Sequence, residues 1–547
     1  MKNKDWLIYG LLLLIILLAA FLYFYMINQL PIGLSDDEAA VGYNAYSILL
    51  TGRDEFGKFF PIAFRFFGAY TPPLYVYLTV PAIKIFGISA AAIRIPSGMV
   101  SLLGIVIVYL FVEKLGLFRS RLVGLAGAFT FAIIPWVFYY ARVGYEVTTG
   151  YIIFSLGMFF LWDGLSQKKV SLVGLFVLSI SSYIAHTERY LVPIFLFSIV
   201  VFFRKQIFVK RNTKKIIIGS IVLFVTQIPN LFLLTTRSFW VKNSLMNPNT
   251  GEMIKDFVSQ WLTYFSPKEL FGISSDINLQ HTSPELPLIY SWLIIPFLIG
   301  LYRLYLKKGT PAGKFLIVWL LVSPIPGALS GHFISIQRVM PLIVPIILVI
   351  SLGFEFIKSR VGRRFFVSGF ILLSAFSLLL LWRSYFVLFP KERWPYWSYG
   401  YEQLAGIIKD RPSDRFVIDS ARARTVYVNL LFYLKYPPDI YQELMLSELL
   451  ANYYSVPNID LSHRFANLEL RPVTWARDVF VDQILVGDAL AISSQQVDEH
   501  FLVKVFEIND PNGIPILFGY KTNPLKKKAD NRTKESLKVR GIGPRKD

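Results

Sequence analysis

The chain is organised as a series of long apolar runs separated by short polar connections. Runs of about 16 to 25 apolar residues recur through the first part of the chain, and each is long enough, or nearly so, for a helix that crosses a bilayer. The runs lie near 6–27, 95–113, 122–140, 147–163, 170–185, 190–203, 216–235, 286–306, 315–330, 338–357 and 365–388. This pattern predicts an α-helical polytopic membrane protein with about eleven transmembrane helices.

One apolar stretch does not fit this series. Residues 72–87 (PPLYVYLTVPAIKIFG) form a short segment that contains both Pro81 and Lys84. A crossing at this point would reverse the side assigned to every later loop, so we expect a helix that lies in the outer membrane interface. The whole predicted topology depends on this placement.

Lys and Arg residues gather in every second connection, which is typical of loops on the cytoplasmic side. These basic clusters lie at 2–4, 114–121, 168–169, 204–215, 307–314 and 358–364. The pattern predicts a cytoplasmic N-terminus, with everything after about Leu388 on the outer side of the cell membrane. The first run is too long for a signal-peptide core and has no small-residue cleavage site, so we expect it to remain as the first helix.

Composition agrees with a membrane protein. Of the 547 residues, 54% are hydrophobic and 17% are charged, whereas a soluble protein carries about 25% charged residues. The net charge of +20 comes mostly from the loop clusters, so we do not expect a nucleic-acid partner. The chain has no cysteine, which excludes disulfides and thiolate chemistry.

The composition changes after the last apolar run. RFVID (415–419), ILVGDALAI, FLVKVFEI and PILFGYKT predict strands, and TVYVNLLFYLKY (425–436) predicts a helix. We therefore predict three parts. These are a transmembrane domain at 1–388, a small extracytoplasmic α/β domain at 389–524, and a basic tail at 525–547 that is poor in apolar residues and expected to be disordered.

Three consecutive acids open the first outer loop: Asp36, Asp37 and Glu38. Like charges this close raise one another's pKa, and a carboxylate with a raised pKa suits a general base that deprotonates a sugar or protein hydroxyl. The same acids would also stabilise the N-terminus of the helix predicted to follow them. The residues leave both interpretations open, and a helix cap and an active site can coincide.

All five histidines lie on the predicted outer side, at His186, His281, His332, His463 and His500. No pair has the spacing of two metal ligands on one helix, which favours loop histidines in contact with water over a metal site. We expect no metal site and no cofactor, and the sequence leaves the use of a divalent cation open.

The order of several short motifs resembles glycosyltransferase family 39 and the broader GT-C fold, a group that includes protein O-mannosyltransferases and the aminoarabinose transferases that modify lipid A. Each motif is short, and their order over about residues 1–390 carries the resemblance. The matching stretches are DDEAAVGYNAY (36–46), TPPLYVYL (71–78), FGISAAAIRIPS (86–97) and PWVFYYARVGYE (135–146), while FSPKELF (265–271) and GHFISIQRVMPLIVP (331–345) fit related membrane glycosyltransferases.

The resemblance implies a GT-C enzyme that transfers a monosaccharide, with inversion, from a polyprenyl-phosphate donor to an extracytoplasmic glycan, lipid or protein. It implies that Asp37 is the general base. Glu38, beside it, and Glu146, the second-loop acid, are expected to contact the substrate. The leaving phosphate gathers negative charge and needs cations near the membrane surface. The candidate cations are Arg94, Arg142, Arg189 and Arg338, because a guanidinium binds phosphate in a bidentate fork.

Each of these roles has a simpler alternative. The arginines could be anchors that extend toward lipid headgroups, and Glu146 could be an ordinary loop charge. Two departures leave the donor headgroup and the acceptor open. Thr71 stands where the aminoarabinose enzymes have a lysine, and Glu146 stands where many relatives have an aspartate.

Two other functions would also suit a polytopic chain. A lipid-linked-oligosaccharide flippase or another transporter would carry charges and broken helices at mid-membrane, often in inverted repeats. Here no clear repeat is found, and the acids cluster at loop starts. A non-catalytic scaffold or receptor would not need three acids at the start of the first loop. The sequence therefore favours the enzyme over both.

Overall fold

A computed structural model describes residues 3–236, 250–274, 277–330, 334–422, 424–444, 450–455 and 463–539. In these ranges eight helices are long and apolar enough to cross a membrane, and a bent pair adds a ninth if it forms one span. The helices up to the first long loop are α1 (Asn3–Phe24), α2 (Asp36–Thr51), α3 (Leu74–Phe86), α4 (Ala90–Lys114), α5 (Arg121–Ile133), α6 (Pro135–Ala141), α7 (Glu146–Ser166), α8 (Leu172–Ser181), α9 (His186–Ile207) and α10 (Thr213–Leu234).

The second half of the membrane region continues with further helices of different lengths. These are α11 (Thr250–Thr263), α12 (Pro267–Phe271), α13 (Ile294–Leu306), α14 (Pro311–Val322), α15 (Ile325–Ala328), α16 (Ile343–Val361), α17 (Arg363–Trp382) and α18 (Phe389–Glu392). A π-helical segment, Arg383–Leu388, joins α17 to α18, and the whole span runs from Arg363 to Glu392.

Each of the eleven predicted apolar runs coincides with helical structure. Eight match the long spans, one matches the bent pair α5 and α6, and two match the shorter apolar helices Leu172–Ser181 and Ser291–Leu306. The bent pair turns by 59° at Ile134–Pro135, because proline lacks the N–H that would continue the helix. The polytopic helical class is confirmed, with fewer full-length spans than the eleven expected.

The short apolar stretch at 72–87, which did not fit the series of predicted spans, forms a helix of 13 residues, α3. It is among the shorter apolar helices and not among the candidate spans. Its helical conformation agrees with the sequence analysis, while its position in the membrane interface stays a prediction.

The C-terminal region is built around a six-stranded mixed sheet. Its strands are β3 (Phe416–Ile418), β4 (His463–Phe465), β5 (Leu468–Leu470), β6 (Ile484–Gly487), β7 (Val503–Asn509) and β8 (Pro515–Lys521), in the order β4-β5-β3-β6-β8-β7. The central strand β3 pairs in parallel with β5 and β6, and the other pairs are antiparallel. The four predicted strands are confirmed. The strands β4 and β5 were not predicted.

In the described residues, five short helices with given bounds accompany this sheet, and a small hairpin belongs to the first outer loop. The helices are α19 (Tyr401–Asp410), α20 (Tyr427–Leu434), α21 (Pro438–Glu443), α22 (Trp475–Asp478) and α23 (Ser494–Glu499), and the hairpin pairs β1 (Phe64–Phe66) with β2 (Ala69–Thr71).

The first outer loop and the C-terminal region share one hydrophobic core. This core combines buried residues between Leu34 and Ile93 with buried residues between Leu404 and Leu517. The packing is close at Gly42 of α2, where an added Cβ would lie 2.6 Å from side-chain carbons of both Ile93 and Phe432. The boundary predicted at 388 therefore does not separate two cores, and α2 is held between membrane helices and the C-terminal region.

A buried acid, Asp54, fastens the end of the first loop helix to the C-terminal region. One carboxylate oxygen accepts hydrogen bonds from the backbone N–H groups of Phe56 (3.0 Å) and Lys58 (2.7 Å), and the other accepts one from the Tyr453 hydroxyl. Burial raises the pKa of Asp54 to about 6, against the lowering effect of these hydrogen bonds.

The adjacent Glu55 is buried in the same interface. One carboxyl oxygen lies 3.4 Å from the amide nitrogen of Asn44 and 3.5 Å from the Tyr427 hydroxyl. Burial, reinforced by the charge of Asp54, raises the pKa of Glu55 to about 8. Asp54 and Glu55 were not predicted as special positions, since nothing in the local sequence pattern marks them as buried.

The tail differs from the prediction of disorder. Residues Pro524–Val539 form a helix, α24, which begins where the Asn523 side chain accepts a hydrogen bond from the Lys526 N–H (3.1 Å). Lys527 is buried and its ammonium donates to the Glu499 carbonyl (3.0 Å). Lysine, alanine and glutamate favour helix even without an apolar face. The described part of the tail is therefore helical, and 540–547 lie outside the described residues.

The raised pKa of Glu55 predicts a pH-dependent stability. The folded protein keeps a proton that the unfolded glutamate releases near its ordinary pKa of 4.5. This stability is therefore full below about pH 4.5 and is lost as the pH rises through about 8. A neutral Glu55→Gln variant should match the parent protein in thermal unfolding near pH 5 and exceed its melting temperature above pH 8. The exposed Glu499→Gln serves as control, and parallel loss in parent and Glu55→Gln would contradict the assignment.

Candidate active site

The three acids at the start of α2 point into three different environments. Ser35 is the N-cap, and its hydroxyl oxygen accepts a hydrogen bond from the Glu38 N–H at 3.2 Å. Successive residues on a helix are separated by about 100° around its axis. Asp36 is half-buried, Asp37 is exposed and Glu38 is buried, so the charged run divides into three side chains with separate partners.

Asp36 joins α2 to the C-terminal region. One carboxylate oxygen accepts hydrogen bonds from the Ser398 hydroxyl (2.8 Å) and the Asn429 amide (2.7 Å), and the other accepts one from the Thr425 hydroxyl. A carboxylate with three partners from one neighbouring region holds two parts of the protein together.

Glu38 forms a buried ion pair with Arg94 of α4. Arg94 Nε lies 2.9 Å from Glu38 Oε1 and Nη2 lies 2.9 Å from Oε2, and both side chains are fully buried. The same Oε1 accepts a hydrogen bond from the Gly144 N–H of the second outer loop at 2.7 Å. Glu38 therefore ties three segments together and was predicted instead to contact substrate.

The remaining N–H groups of Arg94 are engaged inside the protein as well. They donate to the carbonyl oxygens of Ile27 (3.0 Å), Pro31 (3.0 Å) and Gly33 (2.7 Å). With the two bonds to Glu38, all five guanidinium N–H groups have acceptors. The predicted role of Arg94 in phosphate binding does not fit this geometry, because no donor is left for a phosphate oxygen.

Arg142 is a second fully buried arginine. Its guanidinium donates to the carbonyl oxygens at the end of α1, and its central carbon lies 4.9 Å from the centre of the Tyr385 ring. The carbonyl acceptors are Leu22, Tyr23 (3.0 Å), Tyr25 (2.7 Å) and Leu30 (3.4 Å). A cation at a helix C-terminus is stabilised by the carbonyls exposed there. The geometry fits neither a phosphate ligand nor an anchor that reaches lipid.

Asp37 is the acid of the three that is exposed at the protein surface. It lies close enough to the buried Tyr145 hydroxyl for their charges to interact. Burial, followed by the charges of Asp37 and Glu38, raises the pKa of Tyr145 well above its ordinary value. Tyr145 therefore keeps its proton and can act as a hydrogen-bond donor beside Asp37.

A cavity of about 140 Å³ opens where the second and third outer loops meet the turn before α16. Its polar walls combine the second-loop acid with one of the four predicted arginines. The polar lining residues are Glu146, His186, Thr187, Tyr190, Ser330, Gln337 and Arg338. The structure thus brings Glu146 and Arg338 to one cavity, while Arg189 is buried on α9 and is not among its lining residues.

A histidine from the fourth outer loop connects this cavity to the surroundings of Asp37. The His281 ring is stacked on Tyr140 at 6.2 Å, lies 6.2 Å from the Tyr145 ring, and has the Gln337 amide nitrogen 2.6 Å from its Nε2. Burial lowers the pKa of His281 to about 4, so the imidazole is neutral at physiological pH. His281 was predicted to be a loop residue in contact with water, whereas here it is half-buried.

The third outer loop also holds an acid, Glu188, that was not among the predicted site residues. Glu188 is buried on α9, and its carboxyl oxygen would lie 2.7 Å from a Cβ added at Gly150. Gly150 is one helical turn after Glu146, so a glycine at this point of α7 makes room for the carboxyl group.

Among the described residues, no group of three or more His, Asp or Glu side chains has the geometry of a metal site. His332 lies in 331–333, outside the described residues.

Comparison with known proteins supports the fold through structure and not through sequence. No family model and no curated protein matches the chain. The crystal structure of apo ArnT, an aminoarabinose transferase from Cupriavidus metallidurans, is similar with a TM-score of 0.53 and 11% identity, over 95% of this chain and 98% of that chain.

Two further structures are similar with lower scores. ArnT bound to undecaprenyl phosphate matches with a TM-score of 0.49 and 12% identity over 95% and 98% of the two chains. The apo oligosaccharyltransferase of Archaeoglobus fulgidus matches with a TM-score of 0.49 and 11% identity over 95% and 75%. At these identities the likeness establishes the fold alone, and the match to apo ArnT shows that the chain has the GT-C fold.

Removing either partner of the Glu38–Arg94 pair should strongly destabilise the protein. A buried charge left without its partner costs about 3–5 kcal/mol, so Glu38→Gln and Arg94→Met should each lower the unfolding temperature of detergent-solubilised protein by a large amount. The double variant should lose less than the sum of the two, since it leaves no unpaired charge. The control is Arg415→Gln, which breaks an exposed contact to Glu469. Additive losses would show that the two residues do not act as a pair.

Proposed function

We propose that this protein is a membrane glycosyltransferase that moves a monosaccharide from a polyprenyl-phosphate donor to an acceptor hydroxyl outside the cytoplasm. The observation that carries the proposal is the division of roles among the three acids. Asp36 contacts the C-terminal region, Glu38 is buried against Arg94, and Asp37 is the acid that is exposed at the surface, near the buried Tyr145. The GT-C fold of the chain supports a reaction on a lipid-linked sugar at this end of the membrane helices.

The reaction would be a single displacement with inversion. Asp37 takes the proton of the acceptor hydroxyl as its oxygen forms a bond to the anomeric carbon of the donor sugar. The bond between that carbon and the phosphate oxygen breaks, and the lipid phosphate leaves with the electron pair. Because Asp37 is exposed, an acceptor from outside can reach it without a rearrangement of α2.

The cavity lined by Glu146 and Arg338 is the proposed place of the donor phosphate. Arg338 is the predicted phosphate ligand that lines this cavity, and His186 and Gln337 supply further polar contacts in the same wall. A guanidinium in a partly enclosed site stabilises the charge that develops on the leaving phosphate. One cation in the cavity thus replaces the four that the sequence suggested.

Two further roles follow from the same cavity. Glu146, on the wall beside Arg338, orients the sugar by accepting hydrogen bonds from its hydroxyls. His281 keeps Gln337 in place through the contact at its Nε2. ArnT has been crystallised with undecaprenyl phosphate, and we propose a lipid phosphate of that chemical class here. The sugar and the acceptor are left open.

An Asp37→Asn variant should fold and insert normally while its transfer rate falls. Loss of a general base costs about 10²–10⁴-fold in rate. The measurement is sugar transfer in proteoliposomes that contain a radiolabelled polyprenyl-phosphate sugar, with an extract of surface glycans from a deletion strain as acceptor. Asp410→Asn, an exposed acid of α19, is the matched control. Arg338→Gln should instead raise the KM for the donor.

Two other results would contradict this proposal. Transfer by Asp37→Asn at the rate of the parent protein would exclude Asp37 as the base. Movement of the labelled lipid between leaflets with no transfer of sugar would identify a flippase. The deletion strain itself should lack one sugar on a surface glycan, and the parent gene should restore it.

We also propose that the N-terminus is cytoplasmic and that α2 and the C-terminal region lie outside. The chain has no cysteine, so single cysteines can report their side without background. Gln403→Cys on α19 should react with a membrane-impermeant maleimide on intact cells, and Ser359→Cys at the end of α16 should react only after permeabilisation. Both residues are exposed. Reaction of Ser359→Cys on intact cells would reverse the topology.

A further inference from the structure

A second cleft, larger than the donor cavity, lies where the membrane helices meet the C-terminal region. Its volume is about 750 Å³, within the range of about 300–1,000 Å³ that is usual for small-molecule pockets. It is bounded by the turn after α1, the start of α4, the end of the last membrane span, and the helices α19 and α20. None of the residues that line the donor cavity lines this cleft.

One wall of the cleft is apolar and is supplied by the ends of two membrane spans. Met26 follows α1 and is 41% exposed, and Phe386 and Pro390 belong to the last span, Arg363–Glu392. These residues stand where the spans end, at the level where a lipid passes from acyl chain to headgroup.

The opposite wall is polar. It is supplied by α19 and by the turn after α20 through Glu402, Gln403, Lys409, Tyr433 and Lys435. Lys409 Nζ donates to the Tyr433 carbonyl at 2.8 Å, which holds the two elements together. A carboxylate, an amide, ammonium groups and a phenol offer both donors and acceptors. Such a mixture suits sugar hydroxyls, each of which both donates and accepts.

The charges and the backbone of the cleft argue against two other ligands. Its charged residues are two lysines and one glutamate, without the arginine that recognition of a phosphate favours. A peptide that binds by adding a strand needs a free sheet edge. The edge strands of the six-stranded sheet, β4 and β7, contribute no residue to the cleft.

Two residues that line the cleft are hydrogen-bonded to Arg94, the partner of Glu38, and to Asp36. Gly33 and Ser398 line the cleft; the Gly33 carbonyl accepts a hydrogen bond from Arg94, and the Ser398 hydroxyl donates to Asp36. A ligand in the cleft would therefore contact Gly33 and Ser398, whose hydrogen bonds help to fix the orientation of α2 and of Asp37.

We propose that this cleft binds the carbohydrate headgroup of a membrane-anchored glycolipid, whose hydrocarbon chain leaves past Met26 and Phe386 into the bilayer. The sugar is held by the polar wall of α19 and α20. The assignment of this glycolipid as the acceptor rests on the proposed glycosyltransferase function, whereas the binding site itself does not.

Gly406 of α19 allows the cleft to be filled without disturbing the fold. It lines the cleft, and an added Cβ would meet no atom within 4 Å. Gly406→Trp should therefore fold and occupy ligand space. The matched control is Asp410→Trp, an exposed position of the same helix that does not line the cleft.

The test uses photoreactive dodecyl maltoside with full-length protein in nanodiscs of phosphatidylethanolamine and phosphatidylglycerol. Cross-linked peptides should map to 398–409 and 432–435, and labelling should fall about tenfold, equivalent to 1.4 kcal/mol, in Gly406→Trp but not in Asp410→Trp. A photoreactive dodecyl phosphate should label the cleft much less than the maltoside.

Three outcomes would overturn the proposal: labelling confined to other helices, unchanged labelling of Gly406→Trp, or equal labelling by the dodecyl phosphate. Displacement of the maltoside by an unstructured peptide at similar concentration would replace the glycolipid by a polypeptide. Asp37→Asn should keep full labelling. If that variant also keeps full transfer while Gly406→Trp loses labelling, the proposed chemistry fails and the cleft stands.

Discussion

The structure depends on the buried ion pair between Glu38 and Arg94. Burying two charges is costly, and the cost is offset only when every donor and acceptor is satisfied. Here the pair meets that condition through the carbonyls after α1 and the Gly144 N–H. One interaction thereby joins the α1–α2 turn, α4 and the second outer loop. Because Glu38 must face inward, the helix geometry turns Asp37 outward.

The C-terminal region is part of the same construction. It shares a core with the first outer loop, and Asp36 and Asp54 accept hydrogen bonds from its side chains. The region thus supports α2 through both a shared core and side-chain hydrogen bonds. The C-terminal region, which the sequence predicts to be a separate domain, therefore shares its core with the first loop where it packs against α2.

The two cavities are lined by different parts of the protein. The cavity proposed for the donor is formed by the second and third loops and the turn before α16, and the larger cleft is formed by the ends of two membrane spans and by α19 and α20. A transfer reaction needs separate places for its two ligands, because donor and acceptor cannot occupy the same volume.

The sequence by itself determined the apolar runs, the four longer strands and the acid run that opens the first loop, because these depend on local periodicity and composition. Only the tertiary structure decided what each charge does. Arg94 and Arg142 have the residue type and loop position of phosphate ligands, yet backbone carbonyls distant in sequence take up their donors. Arg338 has the same residue type and lines a cavity, while Glu55 is buried and His281 is half-buried through packing. Burial and partners arise from contacts between distant segments, and no local pattern records them.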